Sequence, residues 1–281
     1  MININGKLTA AQDAHFAYNN RGLLYGDALF ETIKAVHGKL LFWEDHYFRL
    51  MASMRILRMQ IPLEFTPEYL ESQLLETIQA AQLQDSPCSV RLTVYRKGNG
   101  RYLPTTQEVG FFAFAKAVTH PFYILDTTPY KVELYKDHYA NPDLLTTLKT
   151  TNRAIHVLGS IYAEENGYDT CLLLNTKKQV VEGLHGNLFV VKGNHIKTPP
   201  LEDGCLRGII RKQLIQIIPL MEEYTFEEAV ISPFELQKAD ELFLTNVIMG
   251  IRPITVYRKK QYTHEVAAAL LQKLNTKARL G

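Results

Sequence analysis

LLTTLKTTNR, residues 144–153, lies near the middle of a 281-residue chain and sets one lysine, Lys149, between threonines after a short apolar run. A lysine has an ordinary pKa of about 10.4, and to act as a nucleophile or base it needs surroundings that disfavour its charge. Thr150 and Thr151 are good N-cap residues, and residues 151–167 read as a helix closed by Gly167. Lys149 is therefore expected just outside a helix N-terminus, where the macrodipole repels a cation. The other reading is an ordinary surface lysine among 31 lysines and arginines, and only the remaining residues of a site can separate the two.

Outward from that stretch, composition narrows the classes. With 46% hydrophobic and 21% charged residues the chain reads as a globular protein with a sizeable core, at the border between one large domain and two. The net charge of +2 without a lysine or arginine block gives no electrostatic reason to expect nucleic acid or an anionic membrane, whereas small anions fit. Cys88, Cys171 and Cys205 share no zinc-ligand or disulfide spacing, and the nine histidines, His46, His156 and His185 among them, are scattered, so no metal is expected. No basic segment precedes an apolar core at the N-terminus, and no apolar run approaches the roughly 20 residues of a membrane span. These features point to a cytoplasmic protein.

Periodicity divides the chain. Residues 2–5 alternate and turn at Asn5-Gly6, and residues 28–37 form a β-branched and aromatic run that turns back at Gly38-Lys39. Residues 44–59 then change to helical period, with Tyr47, Leu50, Met54 and Leu57 on one face and Arg49 beside it. A second helix over residues 68–83 and strands over 89–95 and 110–115 flank a glycine-rich loop at 97–101. The loose, proline-bearing stretch 117–129 is the expected linker, giving an α+β domain over residues 1–120 and a larger domain over 121–281 that carries Lys149. In the latter, strands are expected at 131–136, 170–175, 179–183, 187–192 and 241–246, with helices from about 206 to 218, over 233–238 and over 263–278.

No GxxxxGK[ST], HExxH or GxSxG motif occurs. Four segments carry complementary chemistry instead: Tyr25-Gly26-Asp27-Ala28-Leu29-Phe30-Glu31-Thr32-Ile33 followed by His46-Tyr47-Phe48-Arg49-Leu50; Lys149 with Asn152 and Arg153; Val181-Glu182-Gly183 with Asn187-Leu188-Phe189; and Thr198-Pro199-Pro200 with residues 204–211 and Leu244-Thr245-Asn246. Together and in this order they resemble the fold type IV pyridoxal-phosphate enzymes, the family of branched-chain and D-amino-acid aminotransferases and of aminodeoxychorismate lyases. The resemblance runs from residue 2 to about residue 256 and implies a two-domain mixed α/β fold like that of D-amino-acid aminotransferase.

What the resemblance implies is specific. An aldehyde cofactor, pyridoxal 5′-phosphate, is held as an imine by the lysine matched by Lys149, whose amine also shuttles protons. Glu182 matches the carboxylate that keeps the pyridine nitrogen protonated. Arg49 matches the phosphate-binding arginine, Gly208, Ile209 and Ile210 would turn backbone N–H groups towards the phosphate, Thr245 and Asn246 would complete the cup, and Leu206 would pack against the ring. The chain departs from the family's Gly-Ile-Thr-Arg pattern at Ile210, losing a hydroxyl whose hydrogen bond is worth about 1.5–3 kcal/mol unless water or Asn246 compensates. Arg207 reads either as a substrate-carboxylate contact or as an exposed first-turn residue. The family also implies a homodimer with active sites between the domains.

Two features tilt the expected reaction towards the lyases. Residues 245–254, TNVIMGIRPI, look like the lyases' segment, where aminotransferases more often have a Gly-Thr or Ser-Thr pair. Arg96, Arg101 and Tyr102 belong to a loop resembling the lyases' glycine-rich loop, and with Phe30 they are the expected substrate contacts; the alternative is that such loop arginines are simply solvated. The leading expectation is therefore 4-amino-4-deoxychorismate lyase, which releases pyruvate and 4-aminobenzoate for folate synthesis. The alternative is an aminotransferase for branched-chain or D-amino acids using 2-oxoglutarate.

Overall fold

The alternation read in residues 28–37 becomes a nine-residue strand, and the first part of the chain is built on it. The computed structural model describes residues 1–280. They form two units, one of residues 1–122 with 149–152 and one of residues 123–148 with 153–280.

In the first unit β1 (Ile2–Ile4), β2 (Lys7–Thr9), β3 (Ala28–Val36), β4 (Lys39–Leu40), β5 (Cys88–Arg96) and β6 (Val109–Ala117) make an antiparallel sheet in the order β2-β1-β6-β5-β3-β4. Between them lie α1 (Arg21–Tyr25), α2 (Trp43–Ile56) and α3 (Pro67–Ala80). Alternation sorts the two faces of β3. Leu29, Glu31, Ile33 and Ala35 are buried on the side of α2, and their partners Val94, Leu92, Val90 and Cys88 on β5 are buried with them. Phe30 and Thr32 on the other face are only half-buried. Each buried Leu, Ile or Val stabilises this core by about 1.5–3 kcal/mol relative to exposure. Thr66 caps α3 with its side chain and Pro67 opens it at its first position, where the missing N–H costs nothing.

The second unit contains β7 (Lys131–Ala140), α4 (Ala154–Glu165), β8 (Thr170–Asn175), β9 (Val180–Gly183), β10 (Gly186–Lys192), β11 (His195–Thr198), α5 (Ile209–Ile217), β12 (Thr225–Glu228), α6 (Pro233–Lys238), β13 (Glu241–Asn246), β14 (Gly250–Ile254), β15 (Val256–Tyr257), β16 (Lys260–Gln261) and α7 (Glu265–Leu280). Its sheet is mixed: β7 pairs parallel with β8 and β15, and β11 with β12, while the remaining ladders are antiparallel. The core lies around Leu134, Leu172, Val180, Leu188, Leu242 and Leu244. This mixed α/β architecture is the one expected from the sequence.

Two expectations differ. A single division near residue 120 was to leave Lys149 in the second part, but residues 149–152 group with the first unit. They do so because they add to the edge of β3: Phe30 N donates to Lys149 O at 2.8 Å, Thr151 N to Ala28 O at 3.0 Å, and Leu29 pairs with Thr150. For the same reason Thr150 and Thr151 do not cap a helix. α4 begins at Ala154, its cap residue is Arg153, and no side chain caps it. Lys149 therefore lies five residues ahead of the helix, beyond the first-turn reach of a macrodipole.

Among the described residues no helix is long and apolar enough to cross a membrane. The three cysteines are free and buried.

Candidate active site

In the first unit the pairing of residues 149–152 with β3 sets Lys149 beside Phe30, its Nζ 4.5 Å from the ring centroid. The Arg91 guanidinium lies 3.7 Å from the centroid of the same ring. Arg91 carries one weak side-chain bond, from Nε to Thr93 Oγ1 at 3.4 Å, and burial pulls its pKa below the ordinary arginine value. Sequence reading overlooked this residue. Its signal was present: a cation in the apolar run Val90 to Val94, on the face opposite the buried valines.

Arg49 is buried on α2 with His46, one helical turn before it. Both meet Glu31: Arg49 Nε donates to Oε1 at 2.8 Å, Arg49 Nη2 donates to Oε2, and His46 Nδ1 lies 2.6 Å from Oε2. Burial works to raise the Glu31 pKa, but Arg49 and His46 outweigh it and bring it down to about 2. Burial holds the His46 pKa below the ordinary histidine value. Because a carboxylate accepts only, Nδ1 carries the proton, and neutral His46 presents Nε2 as an acceptor, buried and without a hydrogen-bond partner among the described residues. Arg49 is thus oriented by a fixed carboxylate.

Arg96 differs from expectation. Its Nε donates to Asp27 Oδ2 at 2.9 Å, Nη1 to Arg58 O at 3.1 Å and to Gln107 Oε1, and Nη2 to Leu57 O at 2.6 Å. The guanidinium is buried, and this bonding commits four of its five donors to the protein, so it is corrected from a substrate contact to a structural residue. Arg101 and Tyr102 are exposed on the glycine-rich loop.

In the second unit Glu182 is buried on β9; its Oε2 accepts the Leu206 N–H at 2.9 Å, and its Oε1 is 3.5 Å from His156 Nε2. Leu206 is pinned from the other side, since Asn187 Nδ2 donates to Leu206 O at 2.8 Å. Asn187 also explains Gly208: any side chain there would overlap Asn187 Oδ1. Gly208 is the N-cap of α5 and offers no side chain to cap it, leaving the first-turn N–H groups of Ile209 and Ile210 to another acceptor. The Ile209 and Ile210 side chains are buried in the core, so the isoleucine in place of the usual threonine exchanges a hydroxyl for packing. Arg207 is exposed. Thr245 is buried with Oγ1 lacking a partner among the described residues. The Asn246 side chain builds the turn, its Oδ1 accepting from Ile248 N and Met249 N at 3.0 and 2.9 Å and its Nδ2 donating to His185 O at 2.8 Å.

The profile of the class IV amino-transferases matches residues 28–257, most of the chain. The chain belongs to that family. As a class IV family member it is a pyridoxal-phosphate-dependent enzyme, and pyridoxal 5′-phosphate is its cofactor. A Methanocaldococcus jannaschii protein with the provisional name branched-chain-amino-acid aminotransferase is 30% identical, the match covering 98% of this chain and 94% of that protein. The branched-chain aminotransferase of Thermoproteus uzoniensis superposes with a TM-score of 0.86 at 25% identity, over 97% of this chain and 92% of that one. The 4-amino-4-deoxychorismate lyase of Pseudomonas aeruginosa superposes with a TM-score of 0.83 at 26% identity, over 98% of both. Each unit carries groups whose chemistry suits the cofactor: in the first, an amine at Lys149 and a guanidinium at Arg49; in the second, a buried carboxylate at Glu182 and uncapped helix N–H groups with an orphaned hydroxyl at Thr245.

Proposed function

We propose that the chain is a homodimeric, cytosolic 4-amino-4-deoxychorismate lyase that releases pyruvate and leaves 4-aminobenzoate for folate synthesis. The observation that carries this reading is the Arg91 cation on Phe30. A guanidinium held 3.7 Å from the ring that also receives the lysine amine makes this wall of the first unit suited to a carboxylate, whereas a branched aliphatic side chain needs an apolar wall. The exposed Arg101 on the glycine-rich loop supplies a further cation, and the substrate is a dicarboxylate.

Pyridoxal phosphate, when bound, supplies the electron sink for the charge left by loss of a proton beside the substrate amine. Lys149 Nζ would hold the cofactor and, once the substrate amine has displaced it, its free amine would take that proton up. Glu182 holds a negative charge for the ring nitrogen, with Oε2 fixed by the Leu206 N–H. Arg49, the Ile209 and Ile210 N–H groups and Thr245 Oγ1 would hold the phosphate; Asn246 shapes its turn, and Leu206 would pack on the ring. Phe30, Arg91 and Arg101 orient the substrate, with Tyr102 and Arg207 at its margin.

The test is incubation of the purified protein with aminodeoxychorismate, followed by assay of 4-aminobenzoate and pyruvate and, in parallel, of amino transfer to 2-oxoglutarate. Equal yields of the two products support the lyase. Robust transfer from a branched-chain or D-amino acid with no aminobenzoate overturns it. That second reading, an aminotransferase, is favoured by the 30% identity to the M. jannaschii protein over nearly the whole chain. Gel filtration near twice the 32.1 kDa chain mass is the result expected of a homodimer.

A further inference from the structure

The glycine-rich loop presents three consecutive large side chains to solvent: Arg101 is exposed, Tyr102 is 91% exposed and Leu103 is 82% exposed. Its backbone is nevertheless held from below by Arg21, which is 3% exposed. Arg21 Nη1 donates to Arg101 O at 2.8 Å and to Gly100 O at 3.1 Å, while its Nε donates to Asp27 Oδ2 at 3.0 Å. The same Asp27 oxygen accepts Arg96 Nε at 2.9 Å, so one carboxylate ties two buried arginines together. Inside the loop Thr105 N donates to Asn99 O at 3.0 Å, and Gly100, at φ 95°, has no room for a side chain because it would overlap Leu103 O.

Asp27 directly precedes Ala28, whose carbonyl accepts Thr151 N–H two residues beyond Lys149, and Gly26 packs against Asn152. The loop and the lysine segment are therefore anchored at the same end of β3. Burying a guanidinium to fix loop carbonyls is costly unless the loop must stand in one place.

We infer that Arg21, through Asp27 and the Gly100 and Arg101 carbonyls, is a positioning residue that sets where Arg101 meets a carboxylate of the substrate. This rests on the assignment of Arg101 to the substrate made above, and it holds for either dicarboxylate, aminodeoxychorismate or 2-oxoglutarate.

The test uses full-length holoenzyme and whichever of these two dicarboxylates the wild type turns over. Arg21→Lys keeps the charge beside Asp27 but cannot span both carbonyls. It should raise KM about tenfold, leave kcat within about threefold and the cofactor absorbance unchanged, and speed hydrogen exchange of residues 97–105. Gly100→Ala, which disrupts the loop from within, should reproduce the KM change, so that misfolding of one variant does not decide the outcome. Unchanged KM and exchange in Arg21→Lys, with a raised KM in Arg101→Ala, overturns the positioning role and leaves the Arg101 assignment standing. Unchanged KM in Arg101→Ala overturns that assignment and the inference with it. Faster exchange without a KM change in Arg21→Lys also overturns the inference, reducing Arg21 to a structural tie.

Discussion

The two units hold their candidate site groups by different physics. In the first, Arg49 and His46 converge on Glu31, and Arg21 and Arg96 converge on Asp27. In the second, amide groups make the closest bonds to the candidate groups: the Leu206 N–H on Glu182, whose other oxygen is 3.5 Å from His156 Nε2, the Asn187 amide on Leu206 O, and the Asn246 amide across its turn. A buried ion pair is costly to break because one charge is left behind, whereas a neutral hydrogen bond costs only its own desolvation. The candidate groups of the first unit should therefore be the more brittle to single substitutions and the more sensitive to pH.

The largest expected effect belongs to neither kind of network. Lys149→Ala should reduce turnover by about 10⁴-fold or more and remove the visible absorbance of the bound cofactor without altering the circular dichroism of the fold. Retained absorbance would sink the assignment of the cofactor lysine. Next comes the direct contrast. Glu31→Gln, which removes the carboxylate shared by Arg49 and His46, should lower stability by about 3–5 kcal/mol in urea unfolding of the apoprotein. Glu182→Gln, whose closest partner is a neutral N–H, should cost about 1–3 kcal/mol. Equal losses would erase the distinction between the units. Asn187→Ala should cost about 1–3 kcal/mol and weaken cofactor binding in an equilibrium titration, because Leu206 O loses its donor beside the start of α5.

The smallest effect is a slope. Glu31 has its pKa lowered on folding from 4.5 to about 2, so its stabilising contribution is complete above 4.5 and is lost as pH falls towards 2. His46 has its pKa lowered from 6.5, so the unfolded chain gains a proton first and stability begins to fall below pH 6.5. Each group contributes at most about 1.4 kcal/mol per pH unit. Melting temperatures that stay level from pH 7.5 to 5 in the wild type, or that do not flatten over that range in His46→Gln, would contradict the buried neutral histidine.

Much of the fold was legible because alternation and helical period survive in single segments: β3, β5, β8, β13, α2 and α6 stand where their patterns lie. β11 and β12 were not legible, being four-residue strands with mixed composition, and α1 was hidden in a polar loop. Candidate site residues could be named from their order along the chain, but not their partners. Arg96 and Arg101 look alike in sequence; one is buried among carbonyls and the other stands in solvent, and only packing separates them. Arg91 escaped notice because a lone cation in an apolar strand gives no sign of which ring it will lie on.

The sequence by itself determined the family and its cofactor, because these rest on residue types, their order and local period. The tertiary structure decided that Lys149 is an edge residue of β3 rather than a helix-capping neighbour, that Glu31 fixes Arg49, and that Arg21 supports the loop of Arg101. Each of these depends on groups about 20 to 120 residues apart meeting across a sheet edge or a loop, and such pairings are set by burial and hydrogen-bond satisfaction in the folded chain, which no local pattern encodes.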